Sequence, residues 1–190
     1  GYGSNFEAIA GAASSGEIPA EIALLVSDKP SARVVEVARE KGIPSFVFSA
    51  KDYASKQEYE RDIVAACREA GVELICLAGY MRIVGKELLN AYKGQIINIH
   101  PSLIPSFCGK GFYGLRVHTA AIEYGVKVSG ATVHFVNEIT DGGEILLQKA
   151  VNIPEGIDAS GLQKLVMEEA EWIILPLSVE KISKEIIKNK

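Results

Sequence analysis

Long apolar runs are missing from this sequence. A membrane-spanning helix needs about 18 consecutive apolar residues, and no run reaches that length, nor does any segment have the pattern of a secretory signal peptide. An excess of positive charge is missing too, because 20 Lys and Arg face 24 Asp and Glu, a formal net charge of −4. This balance argues against a general nucleic-acid or anionic-membrane binder, while it leaves room for a local pocket that holds one phosphate.

Cysteine is sparse and unpaired in spacing. The three cysteines, Cys67, Cys76 and Cys108, suit neither a disulfide framework nor a zinc ribbon, so we expect a reducing cytoplasm and no bound metal. The rest of the composition, 48% hydrophobic and 23% charged, is that of an ordered globular protein. We therefore predict one domain over residues 1–190.

Strand-length apolar runs alternate with helix-like segments. The predicted strands cover 22–26, 45–48, 74–79, 96–100, 128–136 and 144–151, and the predicted helices cover 5–15, 31–42 and 57–70. Such alternation predicts an α/β fold with an open, mostly parallel sheet, the Rossmann-like half of a doubly wound fold. The last two strands predict an appended antiparallel pair, and residues 159–188 predict one or two long C-terminal helices with Pro176 as a candidate kink. Ligands of such sheets bind at the carboxyl ends of the strands.

The chain opens with a glycine-rich turn that enters a helix. Backbone N–H groups of Gly3, Ser4 and Asn5 lie at the positive end of that helix, where a phosphate could bind, although a plain capped turn is the simpler interpretation of these residues alone. A loop of this kind normally follows a strand. We therefore expect that a first, central strand is missing ahead of residue 1.

A polar pair ends the run QIINIHPSLIPSF at residues 95–107. Side chains alternate along a strand, so Asn98 and His100 point to one face and Ile97 and Ile99 to the other. Pro101 cannot continue a central strand, which places the pair at its carboxyl end. An amide and an imidazolium side by side could donate two hydrogen bonds to an oxyanion. Hydrogen bonding to nearby backbone is the alternative.

Other polar side chains allow two interpretations each. Asp141 in TDGG is either a solvated turn residue or, if the fold brings it close, a carboxylate that favours the imidazolium form of His100. Within an apolar strand, His134 is expected to be a buried structural histidine. His118 is predicted to begin a helix as a capping or surface residue.

Three further residues have plain alternatives. Arg82 follows a predicted strand and either meets an anionic ligand or lies on the surface. Glu171 is most simply one of several solvated helix acids, and Cys108 a thiol without a catalytic partner.

Several motifs together resemble the folate-dependent formyltransferases, over nearly the whole chain. The motifs are GSNF at 3–6, AGYMRIV at 78–84, INIHPSLIPSF at 97–107, HTAAIEYGVKVSGATVHFV at 118–136, TDGGEILLQ at 140–148 and EWIILP at 171–176. The phosphate loop and short chain are most similar to the glycinamide ribonucleotide formyltransferases. The resemblance implies that the formyl group of 10-formyltetrahydrofolate, a co-substrate, passes to the amine of 5′-phosphoribosylglycinamide in de novo purine biosynthesis.

The resemblance also implies roles for individual residues. The catalytic group would be Asn98, His100 and Asp141, and the substrate phosphate would lie on the loop of Gly3, Ser4 and Asn5. Glu171 would contact the ribose hydroxyls. The folate site would be formed by Asn98 and by Lys56, Met81, Arg82, Ile83 and Val84. Family members commonly carry arginine where Lys56 stands.

Related activities compete with this interpretation. A formyltetrahydrofolate deformylase and a methionyl-tRNA formyltransferase-like domain share the central motifs, but they normally carry a further domain, and a net charge of −4 argues against tRNA. A catalytically silent nucleotide-binding module is the alternative from another class. The loop over 105–117 is longer than in most relatives.

Overall fold

The computed structural model describes residues 3–190; Gly1 and Tyr2, the start of the predicted phosphate-binding turn, lie outside the described residues. The strands are β1 (Leu25–Ser27), β2 (Ser45–Val47), β3 (Ile75–Leu77), β4 (Ile96–His100), β5 (Val128–Phe135) and β6 (Ile145–Asn152). The helices are α1 (Ser4–Ser14), α2 (Arg33–Glu40), α3 (Lys56–Glu69), α4 (Lys86–Ala91), α5 (Leu115–Tyr124), α6 (Ala159–Val166) and α7 (Trp172–Lys188). A 3₁₀ turn covers Ala50–Asp52, and a π turn, Met167–Glu171, separates α6 from α7.

The strands pair as the α/β prediction requires, but in two sheets. β1 pairs parallel to β2, and β3 pairs parallel to β4. β5 then runs antiparallel to both β4 and β6, which confirms the appended antiparallel pair. Within residues 3–190 no ladder joins β1 to β3, so the parallel pairs do not form one continuous sheet. The strand expected ahead of residue 1 stays a prediction.

Most predicted elements lie within a few residues of their expected bounds. The first strand is the exception, because ladder bonds begin only at Leu25 and not at residue 22. The predicted strand over 96–100 coincides with β4. It pairs with β3 on one side and with β5 on the other. β4 is therefore a central strand with its carboxyl end at Pro101.

Helix α3 shows how the sequence specifies one element. The Ser55 hydroxyl accepts the Glu58 N–H at 3.3 Å and so caps the first turn. Residues spaced by three and four positions then form one buried face: Tyr59, Ile63, Val64 and Cys67. Gly71, with φ of 69°, follows the last turn. This helix carries Lys56 in its first turn.

Two hydrophobic cores meet at β4. Alternate residues of the strand, Ile97 and Ile99, belong to a core built with β5 and the C-terminal helices, whose members include Val133, Leu175 and Val179. Ile96 belongs to the second core, with Phe48, Tyr59 and Leu88 among its members. Burial on both sides fixes the strand, and with it the direction of the side chains at 98 and 100.

The C-terminal helices are interrupted earlier than the sequence predicts. The irregular turn is the π turn over Met167–Glu171, whereas Pro176 lies inside α7. π turns insert an extra residue into a helix and occur frequently at functional sites. No helix within residues 3–190 has both the length and the apolar character that crossing a bilayer demands.

Candidate active site

The polar pair lies at the carboxyl end of β4, as predicted. The antiparallel register places Asn98 opposite His134 and His100 opposite Thr132 on β5. His100 is only 5% exposed, so its imidazole lies at the base of this end of the sheet and not in open solvent. The neighbouring strand therefore supplies the surroundings of both side chains.

Both ring nitrogens of His100 face acceptors. Nε2 lies 2.9 Å from the Phe107 carbonyl oxygen, and because a carbonyl can only accept, Nε2 carries the proton. Nδ1 lies 3.7 Å from Oδ2 of Asp141. That distance is beyond a direct hydrogen bond but places the imidazole and the carboxylate side by side.

The TDGG turn delivers Asp141 to this site. Asp141 adopts a left-handed conformation with φ of 54°, which aspartate tolerates better than most residues. Two positions on, a Cβ at Gly143 would overlap the Phe135 carbonyl oxygen, so the turn can approach β5 only with glycine there. The side chain of Asp141 is 9% exposed. The solvated-turn interpretation of Asp141 is therefore wrong, and the proximity to His100 is confirmed.

His134 contacts two of the predicted catalytic residues. Its Nδ1 lies 2.9 Å from the Phe135 carbonyl oxygen and so donates, which leaves Nε2 of the neutral ring to accept from Asn98 Nδ2 at 3.1 Å. Nε2 is also 3.7 Å from Oδ1 of Asp141. Burial lowers the pKa of His134, which keeps the ring neutral. One N–H of the Asn98 amide is thereby used, and the other can donate elsewhere.

The sequence predicts His134 only as a structural histidine. It is buried as expected, yet it also orients the Asn98 amide. The only signal was its position in an apolar strand, and its pairing with Asn98 depends on the register between β4 and β5.

The backbone of the long loop after β4 forms hydrogen bonds with both members of the His100–Asp141 pair. The Phe107 carbonyl accepts from His100, and the Gly109 N–H donates to Oδ2 of Asp141 at 2.8 Å. Cys108 lies between these two contacts, and its Sγ donates to the Pro105 carbonyl. Burial and then the charge of Asp141 raise the pKa of the Cys108 thiol, which disfavours the nucleophilic thiolate.

The prediction for His118 is wrong. Helix α5 begins at Leu115 and not at His118, and this shift turns the imidazole into the core beside Val117 and Ala121. His118 is fully buried, and within residues 3–190 neither ring nitrogen has a hydrogen-bond partner. Burial, reinforced by the charge of His100, lowers the pKa of His118 to about 4. The ring is therefore neutral at physiological pH.

The glycine-rich turn at the start of the described chain enters α1 as predicted. Gly3 is the residue before the helix, with φ of 84°, and a Cβ there would press on the Val34 side chain. The Ser4 hydroxyl lies 3.9 Å from the sulfur of Met167, and Nδ2 of Asn5 donates to Oε2 of Glu171 at 2.7 Å. The start of α1 thus lies against the π turn.

Glu171 is not the solvated helix acid that its local sequence indicates. It is 7% exposed, because the π turn directs Ala170 and Glu171 into the protein. Burial raises the pKa of Glu171, although the hydrogen bond from Asn5 acts in the opposite direction. Oδ1 of Asn5 is buried and accepts no hydrogen bond from residues 3–190. This corner of the site therefore has acceptors available for a ligand that donates.

The residues predicted to bind folate form a mixed surface after β3. Met81 and Ile83 are 58% and 69% exposed, whereas Val84 is buried. Arg82 donates from Nε to Oδ2 of Asp28 at 2.7 Å, so part of its charge is already paired. Lys56 at the start of α3 lies 3.7 Å from Oε1 of Glu60. Residues 3–190 contain no group of three or more His, Cys, Asp or Glu side chains placed to hold a metal ion.

Comparison with known proteins decides the family. Residues 1–179 match the family described as formyl transferase. The chain belongs to the formyl transferase family. This formyl transferase is 50% identical to the phosphoribosylglycinamide formyltransferase of Bacillus subtilis over 155 residues, which are 82% of this chain and 77% of that protein.

Solved structures carry the same fold. The crystal structure of glycinamide ribonucleotide transformylase 1 from Symbiobacterium toebii matches with a TM-score of 0.91 and 37% identity, covering 97% of this chain and 84% of that one. The phosphoribosylglycinamide formyltransferase of Brucella melitensis matches with a TM-score of 0.87 and 42% identity, covering 96% of this chain and 91% of that one. The resemblance stated from the motifs and the α/β fold class are thus confirmed.

Proposed function

We propose that this formyl transferase is a phosphoribosylglycinamide formyltransferase. It transfers the formyl group of 10-formyltetrahydrofolate to the amine of 5′-phosphoribosylglycinamide in de novo purine biosynthesis. The amine attacks the formyl carbon directly, through a tetrahedral oxyanion and without a covalent enzyme intermediate. The observation that supports this most is the cluster of Asn98, His100 and Asp141 at the carboxyl end of β4 in a member of this family.

Asn98 and His100 are the proposed oxyanion donors. The Asn98 amide has one N–H left after its bond to His134. The Phe107 carbonyl holds the Nε2 proton of His100, so the ring donates to substrate through Nδ1, which requires the protonated form. Loss of one such donor typically lowers kcat by about 10²–10³-fold, since the bond strengthens only as charge develops on the oxygen.

Asp141 is the proposed counter-charge and proton acceptor. Its Oδ2 stays 3.7 Å from Nδ1 of His100, which leaves the Nδ1 proton for the oxyanion while the carboxylate balances the imidazolium charge. The attacking amine must lose a proton and the leaving N10 must gain one. Asp141 relays that proton, directly or through a water molecule, so no net proton is gained or lost.

The glycinamide ribonucleotide lies on the α1 side in this proposal. The N–H groups of Gly3, Ser4 and Asn5 hold the phosphate, as the positive end of a helix favours an anion. Glu171 and Asn5 accept hydrogen bonds from the ribose hydroxyls. The buried Oδ1 of Asn5, which accepts no bond from the described residues, supports this assignment because a hydroxyl donor would satisfy it.

The folate lies against the segment after β3. The exposed side chains of Met81 and Ile83 offer an apolar surface for a flat ring, next to buried Val84. Asn98, Arg82 and Lys56 provide polar contacts, the two cations toward the acidic end of the co-substrate. The folate and the nucleotide then meet at Asn98 and His100.

We place this activity in one domain over residues 1–190, acting on small molecules and not on nucleic acid. The cysteines Cys67, Cys76 and Cys108 are free thiols, which supports a reducing compartment such as the cytoplasm.

The test measures formylation of phosphoribosylglycinamide and release of formate in parallel. We expect the wild type to transfer formyl and release little formate, and we expect His100→Ala and Asp141→Asn to lower kcat by at least about 10²-fold with both substrates saturating. Cys108→Ser is the matched control and should keep its rate. Near-wild-type turnover in either active-site variant would refute the assignment, and formate release in place of transfer would indicate a deformylase.

A further inference from the structure

Glu60 is a buried carboxylate with no role in the proposed chemistry. It lies one turn after Lys56 on α3 and is 1% exposed. A carboxylate that is buried lowers stability unless it is paired and hydrogen-bonded. Its contacts should therefore indicate why it is there.

The contacts of Glu60 join the two elements that supply the proposed folate site. Oε1 accepts the Gly85 N–H at 2.7 Å, and Gly85 directly follows the segment Met81–Val84. The same oxygen lies 3.7 Å from Nζ of Lys56. One carboxylate thus contacts both the lysine and the end of the apolar segment.

Gly85 is shaped for this contact. A Cβ at position 85 would overlap both carboxylate oxygens of Glu60. Its φ of −101° is one that any residue adopts, so a larger residue here would displace the Glu60 carboxylate and would not strain the backbone. The close approach of the carboxylate to the Gly85 backbone therefore depends on two residues, Glu60 and Gly85.

The segment between β3 and α4 depends on such anchors because residues 80–85 form no helix or strand. On its other side Arg82 is bound to Asp28, and its guanidinium lies 5.8 Å from the centre of the Tyr59 ring. Tyr59 and Glu60 are consecutive on α3. One turn of this helix therefore contacts the segment at Arg82 and again at Gly85.

We propose that Glu60 is a positioning residue for the folate co-substrate: it fixes the segment Met81–Val84 through the Gly85 N–H and orients the ammonium of Lys56. This inference rests on the proposed function, since it takes the ligand of the segment to be a folate. Without the carboxylate, binding must order both the segment and the lysine, and that cost lowers affinity. The chemical step at His100 is untouched.

The test compares Glu60→Gln with Glu60→Leu. Glutamine keeps an oxygen acceptor for the Gly85 N–H but loses the charge that faces Lys56, so we expect KM for 10-formyltetrahydrofolate to rise about two- to fivefold. Leucine loses both contacts, and we expect a rise of about 10–100-fold, as for a lost hydrogen bond to a charged group. In both variants kcat and KM for phosphoribosylglycinamide should stay within about twofold of wild type. Glu69→Gln, an exposed glutamate on the same helix, should change nothing.

A double-mutant cycle tests the link to Lys56. Lys56→Met and Glu60→Gln should be less than additive in their effect on folate KM, because both remove the same pair. Additive effects, an unchanged folate KM in both Glu60 variants, or an equal rise in both KM values would overturn the inference. Thermal unfolding establishes whether Glu60→Leu is folded, and if it is not, Glu60→Gln and the cycle decide.

Direct titration with tetrahydrofolate separates this inference from the proposed function. If the wild type binds tetrahydrofolate but formylates no phosphoribosylglycinamide, the proposed function fails, and weaker binding by the Glu60 variants still supports the positioning role. If the wild type transfers formyl and the variants bind tetrahydrofolate as tightly as it does, the positioning role fails alone. No binding of tetrahydrofolate by the wild type would overturn both.

Discussion

The carboxyl ends of two adjacent parallel strands, β4 and β3, are built in opposite ways. After β4, His100 is 5% exposed and hydrogen-bonded to backbone, and Asn98 is bonded to the neighbouring strand. After β3, Met81 and Ile83 are more than half exposed, and side-chain contacts from α3 and Asp28 hold the segment. The two strands are hydrogen-bonded neighbours in one sheet, yet the end of β4 is enclosed and the segment after β3 is open.

The difference follows from the tasks that we propose for each end. Stabilising a developing charge requires donors that are already oriented, and burial strengthens their effect. Receiving a large flat co-substrate requires accessible apolar surface, which leaves no room for a dense hydrogen-bond network. The hydrogen bonds from Arg82 to Asp28 and from Gly85 to Glu60 hold the segment in one position while its apolar side chains stay exposed.

Among these predictions, Asn98→Ala is expected to have the largest effect on activity. We expect kcat to fall by about 10²–10³-fold, because the variant lacks one of the two proposed donors to the oxyanion. Steady-state kinetics with each substrate varied in turn would measure this, and phosphoribosylglycinamide KM should change little. Asn90→Ala, at an exposed position on α4, is the matched control. A variant with normal kcat would remove Asn98 from the catalytic group.

The next prediction concerns the free energy of unfolding, which depends on pH through the buried His118. His118 has a pKa of about 4 in the folded protein against 6.5 as its ordinary value. As pH falls below 6.5 the unfolded chain takes up a proton that the folded chain refuses, so stability decreases until about pH 4. The total loss is about 3 kcal/mol, of which about 2 kcal/mol falls between pH 7 and pH 5.

Urea unfolding at pH 7 and pH 5 measures this effect. His118→Leu should show a smaller loss of unfolding free energy between the two pH values than the wild type, since leucine takes up no proton. His134, whose pKa burial also lowers, contributes in the same direction and remains in both proteins. Equal losses in wild type and variant would contradict the buried, neutral state of His118.

The smallest expected effect is that of a substitution in the exposed segment after β3, on KM for the folate. Arg82→Leu removes an ion pair to Asp28 that is partly exposed, so we expect KM for 10-formyltetrahydrofolate to rise only about two- to fivefold. KM for phosphoribosylglycinamide and kcat should stay at the wild-type level. Arg68→Leu, an exposed arginine on α3, controls for the loss of one positive charge. A fall in kcat instead would show that the two ends are not independent.

Local patterns in the sequence predicted the elements and the pair at 98 and 100. Strand alternation and Pro101 place Asn98 and His100 on one face at the carboxyl end of β4, and the Ser55 cap with its spaced apolar residues predicts α3. These are short-range effects, because backbone geometry fixes which side chains share a face within one element. The start of β1 was missed, since an apolar run does not show where ladder bonds begin.

Contacts between distant segments could not be predicted in the same way. Whether Asp141 is solvated or faces His100, whether His134 touches Asn98, and whether Glu171 is buried all depend on how loops and strands meet. His118 shows the same dependence, because a helix start three residues earlier turned a surface residue into a buried one.

By itself the sequence determined the alternation of strands and helices, the polar pair that ends β4 and, through its motifs, the family. Only the tertiary structure decided which partners those side chains have. The register of β5 sets the partner of Asn98, and the backbone of the loop after β4 contacts His100 and Asp141. The π turn brings Glu171 to Asn5. The physical reason is that periodicity acts over one turn or one pleat, whereas hydrogen-bond partners are chosen by packing across more than a hundred residues, as the bond from Asn5 to Glu171 illustrates.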